Sequence, residues 1–470
     1  MLFSFFPLSG YHLSLNKIIF YGLLMISLSS SLPAQSSILD AYIEAAFNEN
    51  LQIRNAQLGK NKQFSKIAQA QALWNPKLDF NASYLLAQGG RNLIFPIGDL
   101  FNPSNAALNQ LTNSDQFPTN LENQKIQLTP SNFIDANLNL SKPILNSTIK
   151  YNRLIQESLS ELYTQDIALS KHEVKYQVKS AYYNYLKTFD GIKIIDSNRQ
   201  LLVEVLELNK KLVKYDKATK DILNDVTYQI ESLNTQQIQL EEQQSLAKAL
   251  FNLQLNRDLQ SNIIVDTSLI GAITMETRML DGLTAKAYRQ HPELAKILIG
   301  NKVNALNKQR IDKEKLPTVG VNAGIGMQTE DFSFDSGGPL YTLGVGMQWN
   351  IIDGGLRKRK IEELQVDNEI LSIQESQIKQ KIQISILQSL LALNSIESQM
   401  RSAELAATSA QESYDLIRTR YKNDSALLIE VLQAQNRLIS SELSHTLLNY
   451  DYLAKQAELE KNLANSSTND

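Results

Sequence analysis

VGVNAGIGMQ at residues 319–328 and LGVGMQWN at residues 343–350 alternate in character from one residue to the next. Val319, Val321, Ala323, Ile325 and Met327 interleave with Gly320, Asn322, Gly324, Gly326 and Gln328. Leu343, Val345, Met347 and Trp349 interleave with Gly344, Gly346, Gln348 and Asn350. A period of two places each set on its own face of a strand, so the segments predict a hairpin with one apolar face and one polar or glycine face. Nine of the nineteen glycines lie between Gly320 and Gly355. They sit at strand spacing, and the chain lacks the Gly, four residues, Gly-Lys-Ser/Thr pattern of a phosphate loop, so a nucleotide cradle is a poor reading. The alternation recurs upstream. Leu78, Phe80, Ala82 and Tyr84 stand against Lys77, Asp79, Asn81 and Ser83, and Ile134, Ala136, Leu138 and Leu140 against Asp135, Asn137, Asn139 and Ser141. The chain therefore offers four strands.

This recurrence is part of an internal duplication. At an offset of 241, Leu39-Asp40 falls on Leu280-Asp281, Ala46 on Ala287, Gly59 on Gly300, Pro76 on Pro317 and Asn81-Ala82 on Asn322-Ala323. Leu138 then falls on Val345 at 207, and Tyr215 on Tyr421 at 206. The first copy thus carries about 34 extra residues before Leu138, and Gly89-Gly90, Pro96, Gly98, Asn102-Pro103, Asn113 and Pro118 give the segment 85–133 the composition of a long loop. A period near 200 residues is too long for a solenoid and implies two copies of one supersecondary unit. The expected organisation is a signal peptide at 1–34, a first repeat at 35–270, a second at 271–464 and a disordered tail at 465–470.

The remainder reads as helix. From about 147 to 215 and from about 354 to 421 there is no proline, and the glycines are Gly191, Gly354 and Gly355. At 1.5 Å per residue, such segments are about 100 Å long. Leu201, Val205, Leu208, Leu212 and Tyr215, and likewise Val226, Ile230, Leu233, Gln237 and Leu240, follow the alternating four and three spacing of a coiled coil.

Composition removes most chemistry. The 470 residues include 46 Lys+Arg and 49 Asp+Glu, a net charge of −3 that does not suit a nucleic-acid surface. Cysteine is absent, which removes disulfides and thiolate sites, and the four histidines are far apart. No catalytic, metal or cofactor-binding residues are expected. Lys17, the apolar run 18–28 and the small residues before Ala34 read as a secretory signal, since about eleven apolar residues fall short of the roughly 20 that span a bilayer. If the mature chain sits in a membrane, it does so as β-structure.

Four strands cannot close a membrane barrel, because the smallest use eight and an open edge in lipid strands its backbone groups. Closure therefore falls to other copies, two giving eight strands or three giving twelve. The strand period leaves both open. A secreted coiled-coil rod or adhesin is the competing reading, and it would lack the four alternating strands. Val321, Ile325, Val345 and Met347 are expected to face lipid. The run Arg357-Lys358-Arg359-Lys360 suggests either a lipid-headgroup or partner contact or, more simply, a solvated helix face.

The duplicated order of helix, hairpin, very long helix, turn and returning helix resembles the TolC-like outer-membrane efflux channel family over about residues 38–464. Its most specific marks are Arg420-Tyr421-Lys422-Asn423-Asp424-Ser425 and Ile429-Glu430-Val431-Leu432-Gln433-Ala434-Gln435, which resemble the family's tip turn; Tyr215 to Val226 is a looser counterpart. The resemblance implies an α+β membrane protein: a homotrimer whose twelve-stranded barrel in outer-membrane lipid continues as a long α-helical, coiled-coil barrel in the periplasm. It implies a passive exit duct for small molecules or proteins in a tripartite efflux or type I secretion system, with a periplasmic adaptor and an inner-membrane pump as partners and no catalytic activity. It places the periplasmic gate at Tyr215, Asp221, Asp225, Tyr421, Asp424 and Glu430. The sequence departs from the family where Asp424 and Ala218 replace a glycine three residues after the tyrosine, and where Gln433 replaces the second of two acidic residues.

Overall fold

The computed structural model describes residues 38–128, 131–266, 269–270, 273, 278–329 and 340–464; the expected signal peptide and tail lie outside them. In chain order the elements are α1 (Ile38–Glu49), α2 (Leu51–Ala72), β1 (Lys77–Leu86), β2 (Asn92–Phe95), α3 (Ile97–Thr112), β3 (Gln124–Gln127) and β4 (Asn132–Leu145). Then follow α4 (Ser147–Lys214), α5 (Asp221–Gln254), α6 (Leu280–Gln290), α7 (Pro292–Lys313), β5 (Thr318–Thr329), β6 (Leu340–Gln348), α8 (Leu356–Lys422) and α9 (Leu428–Asn462). Two units result, one from residues 55–169 and 288–383, the other from residues up to 54 with 170–287 and from 384 onward.

The first unit holds the sheet. Its order is β1-β4-β5-β6, all antiparallel. Phe80 pairs with Leu138, Leu138 with Ile325 and Ile325 with Tyr341, so one row of apolar residues crosses all four strands. The adjacent row, Asp79, Asn139, Gly324 and Thr342, is polar. Because side chains alternate with period two, this register keeps every apolar set on the same face. β4 carries a bulge between Pro143 and Leu145, at the residue that lacks a backbone donor. Among the described residues β1 and β6 are edge strands, each with one side unpaired.

Helices flank this sheet in repeated fashion. Gly59 of α2 lies beneath Tyr163 of α4, where a Cβ would meet the ring at 3.1 Å, and Gly300 of α7 lies beneath Leu371 of α8 at 3.3 Å. These two glycines are the pair that the duplication aligns, so the repeat preserves a close helix–helix approach. Lys302 and Lys296 pair with Glu161 and Asp166 at 2.6 and 2.7 Å, and Gln63 Nε2 donates to the Gln156 carbonyl at 2.9 Å. His291 caps α7, its Nδ1 accepting from the Glu293 N–H, and Pro292 takes the first helical position.

The segment 85–133, expected as a loop, contains the β2–β3 ladder and the 16-residue helix α3. Pro103 lies inside α3.

The second unit is helical. Its core includes Ile195, Leu202 and Val205 of α4, Val226 and Leu233 of α5, Tyr414 and Tyr421 of α8, and Leu428, Val431, Leu432, Leu438 and Ile439 of α9. Polar ties fix the helices around it. Lys187 pairs with Asp451 at 2.7 Å, Lys179 with Glu460 at 2.6 Å, and the Tyr450 hydroxyl donates to Asp190 at 2.5 Å. Among the described residues no helix is long and apolar enough to cross a membrane.

Candidate helix tips and pore wall

The chain reverses twice in the helical unit, and the two reversals have one geometry. At the end of α4 the Lys217 N–H donates to the Leu212 carbonyl at 2.9 Å and the Asp216 N–H to Val213 at 3.1 Å. At the end of α8 the Ser425 N–H donates to the Arg420 carbonyl at 2.8 Å and the Asp424 N–H to Tyr421 at 3.1 Å. These are paired six-to-one and five-to-two bonds closed by a left-handed residue, Asp216 at φ 51° and Asp424 at φ 55°. Aspartate tolerates this conformation better than most residues because its short side chain hydrogen-bonds locally. Asp424 therefore takes the backbone role expected of glycine. In the first turn that role falls to Asp216, which sequence reasoning did not single out, and Ala218 lies beyond it.

This equivalence corrects one alignment. The turns superimpose Asp216 on Asp424, an offset of 208, so Tyr215 corresponds to Asn423 and not to Tyr421. The environments agree: Tyr215 is 70% exposed, while Tyr421 is 9% exposed within the core. The Tyr421 hydroxyl donates to Asn209 Oδ1 at 2.5 Å, and Asn209, fully buried, donates from Nδ2 to the Val205 carbonyl at 2.8 Å. Burial raises the pKa of the Tyr421 phenol. Arg420 Nη2 donates to the Ser425 carbonyl at 3.1 Å, bracing the same turn, and Arg418 pairs with Glu204 of α4.

The acidic residues differ in role. Glu430, third in α9, accepts at Oε2 from the Leu427 N–H at 2.9 Å, half of a capping box. Asp221 opens α5, and the Thr219 hydroxyl and adjacent N–H groups hold its carboxyl below the usual carboxylate range. Asp225, Asp424 and Gln433 are exposed. Deeper along the same helices, Gln435 Nε2 donates to the Asn198 carbonyl at 2.9 Å, and Asn198 Nδ2 donates to Glu442 at 3.0 Å. The expected residues thus gather at two turns, and α4 and α8 are tied there through Asn209 and Tyr421 and through Glu204 and Arg418.

The sheet supplies the second surface. Leu343 and Val345 are 87% and 73% exposed, and Met347 and Ile325 are exposed beside them; Val321 is partly covered. On the opposite face Asn137 Nδ2 donates to Asp135 at 3.0 Å, Asn81 Nδ2 to Asn137 at 3.4 Å, and Gln328 Nε2 to Asp135 at 3.4 Å. Glycines make room for this polar lattice. A Cβ on Gly324 would stand 2.6 Å from Thr342 Oγ1 and 2.7 Å from Asn139 Oδ1. The wall thus has one oily and one amide-rich side.

The basic run after β6 is largely engaged within the chain. Arg357 Nε donates to Asp353 at 2.6 Å, Arg359 pairs with Glu362 at 2.7 Å and Lys360 with Glu314 at 3.3 Å. Arg357 holds the Asp353 carboxyl down to about 2. The described residues contain no cluster of three or more His, Asp or Glu able to hold a metal ion.

Residues 292–465 match the sequence model of the outer membrane efflux protein family. A search of curated proteins finds no match. Among solved structures, the fold is similar to that of CusC, whose crystal structures review conformational changes accompanying folding and transmembrane channel formation, with TM-score 0.69 and 13% identity over 90% of this chain and 91% of that one. It is similar to the outer membrane protein VceC from Vibrio cholerae (TM-score 0.65, 14% identity, 91% of this chain and 96% of that one). It is also similar to the Campylobacter jejuni CmeC outer membrane channel (TM-score 0.65, 15% identity, 91% and 86%).

Proposed function

We propose that this chain, whose second repeat carries the outer membrane efflux protein pattern and whose fold is that of TolC-like outer-membrane channels, is the outer-membrane exit duct of an efflux or type I secretion assembly. Three copies close a twelve-stranded barrel in the outer membrane, and their long helices continue it as a tube in the periplasm. One observation carries this reading: a four-stranded sheet, apolar on one face and amide-rich on the other, with both edges unpaired among the described residues. In lipid such a sheet requires neighbours on both sides.

Conduction follows from the wall. Asn, Thr and Gln side chains with Asp79 and Asp135, spaced by glycines, line the water side without a cluster that would hold a solute tightly, so diverse solutes pass once the tips part. The work of transport comes from an inner-membrane pump, and a periplasmic adaptor engages the helical reversals at Asp216 and Asp424. Opening is a change between two packings of α4 and α8, biased by that adaptor.

The test is the assembly state. Detergent-extracted outer membranes should yield the mature chain as a trimer in native mass spectrometry; a monodisperse water-soluble monomer would overturn the proposal.

A further inference from the structure

Helix α3 presents its polar side to its own chain and its apolar side outward. Asn102 Nδ2 donates to the Leu121 carbonyl and its Oδ1 accepts from the Leu121 N–H, both at 2.8 Å. Asn105 Nδ2 donates to the Pro118 carbonyl at 2.7 Å, and Asn109 makes two bonds to the Phe117 backbone at 2.7 and 3.0 Å. Asp99 and Asn123 bond each other at the N-terminal end, at 2.8 and 3.1 Å. This asparagine spine fastens α3 to the returning strand segment. Leu100, Phe101, Leu108 and Leu111 are left exposed, Leu111 at 83%. At 100° per residue, Leu100, Phe101, Leu108 and Leu111 fall within one stripe, the Ser104 hydroxyl among them being turned back to the Leu100 carbonyl at 3.2 Å. An apolar stripe of this kind marks a contact surface.

Two features identify what covers it. The β1–β4 ladder continues past Gly89-Gly90 through Ala87 N–H to the Ser131 carbonyl at 2.8 Å and Leu128 N–H to the Arg91 carbonyl at 2.9 Å, into the β2–β3 ladder that carries α3. β1 is an edge strand. The helix therefore hangs from the strand that another copy must adjoin. Second, residues 97–112 contain no Lys or Arg, and the acidic residue Asp99 is bonded to Asn123. A surface made to rest on anionic headgroups carries cations, and this one does not.

We propose that the Leu100, Phe101, Leu108 and Leu111 stripe packs against the same stripe of the other copies, so that α3 helices cap the outer mouth of the barrel. This rests on the trimer proposed above and adds a contact to it that β-strand closure alone does not require.

The chain has no cysteine, so single substitutions report cleanly. In the full-length protein in outer membranes, Leu108→Cys under mild oxidation should give chain-to-chain disulfide on a non-reducing gel. Leu111→Cys is the second probe if Leu108→Cys disturbs the helix. Gln110→Cys, outside the stripe, should give at least fivefold less product. Native mass spectrometry of the same samples separates the two failures. A trimer without stripe-specific disulfide overturns the α3 contact and leaves the channel reading intact, whereas loss of the trimer in the unsubstituted protein overturns the channel reading itself. A spin label at position 108 that is accessible to oxygen as an acyl-chain site is would assign the stripe to lipid and also overturn the contact.

Discussion

Tyr421 and Asn209 show how much of a tip can depend on one hydrogen bond. The Asn209 amide is fully buried, with its Nδ2 committed to the Val205 carbonyl and its Oδ1 to the Tyr421 hydroxyl. Removing the hydroxyl leaves that oxygen dry and unpaired, a cost of about 1–3 kcal/mol. Tyr421→Phe should therefore lower the unfolding midpoint of the purified trimer, Asn209→Leu should do the same, and the double variant should lose less than the sum. Strict additivity in this cycle would mean the bond contributes nothing. Tyr421 is legible in the sequence as a tip residue, but its partner is not: Asn209, four residues past Val205 and three before Leu212, reads only as a polar break in the apolar stripe, and periodicity does not reveal which helix a residue meets. Tyr215 is misplaced by the sequence alignment for a related reason. A shared tyrosine is a weaker guide to equivalence than the left-handed aspartate that closes each turn, and aspartate gives no sequence signal of the kind glycine gives.

At the scale of the element, the sheet is readable because strict alternation over eight or more residues arises from little besides a strand, and the register then follows from keeping one face apolar. The two faces make opposite demands. Val345→Arg places a charge on the exposed apolar face and should cost about 2–4 kcal/mol near the bilayer midplane, depleting folded trimer from outer membranes. Gly346→Ser, one residue away on the polar face, has nothing within 4 Å of its new Cβ and should assemble at wild-type yield. Equal yields of the two variants would reverse the facing. The junction from β6 into α8 offers a pH test. Asp353 accepts from the Arg357 guanidinium and N–H and from the Gly355 N–H, which holds its carboxyl near 2, below the ordinary value of 3.8. A carboxyl depressed in the folded state stabilises above its unfolded pKa, and that contribution is lost as pH falls toward 2. Acid unfolding of the wild type and of Asp353→Asn should thus differ above about pH 4 and converge near pH 2; parallel curves throughout would remove Asp353 from the account. The helix α3 escapes sequence reading because an asparagine spine with an internal proline has the composition of a loop.

For the whole molecule, closure by other copies in the proposed trimer would turn each tip residue into a ring of three. Each copy brings Asp221, Asp225, Asp424 and Glu430 to or next to its two reversals. Convergence of the copies there crowds like charges, and crowded carboxylates recruit cations into the narrowest part of the path. The closed channel in a planar bilayer should therefore conduct weakly, and multivalent cations added on the periplasmic side should block it. Glu430 is the sharpest probe of this idea, because its two possible contributions can be separated. Its Oε2 caps the Leu427 N–H. Glutamine keeps a carbonyl oxygen in that place and removes the charge, whereas alanine removes both. If the carboxylate acts electrostatically, Glu430→Gln should weaken the cation block severalfold with the unfolding midpoint unchanged. If it acts only as a cap, Glu430→Gln should leave the block intact, while Glu430→Ala lowers the midpoint by the equivalent of about 1 kcal/mol. Block that persists in Glu430→Gln, in an Asp221→Asn, Asp225→Asn double variant and in an Asp216→Asn, Asp424→Asn double variant would place the narrow point away from the tips, since the two reversals and the first two turns of α5 and α9 carry no other acidic side chain.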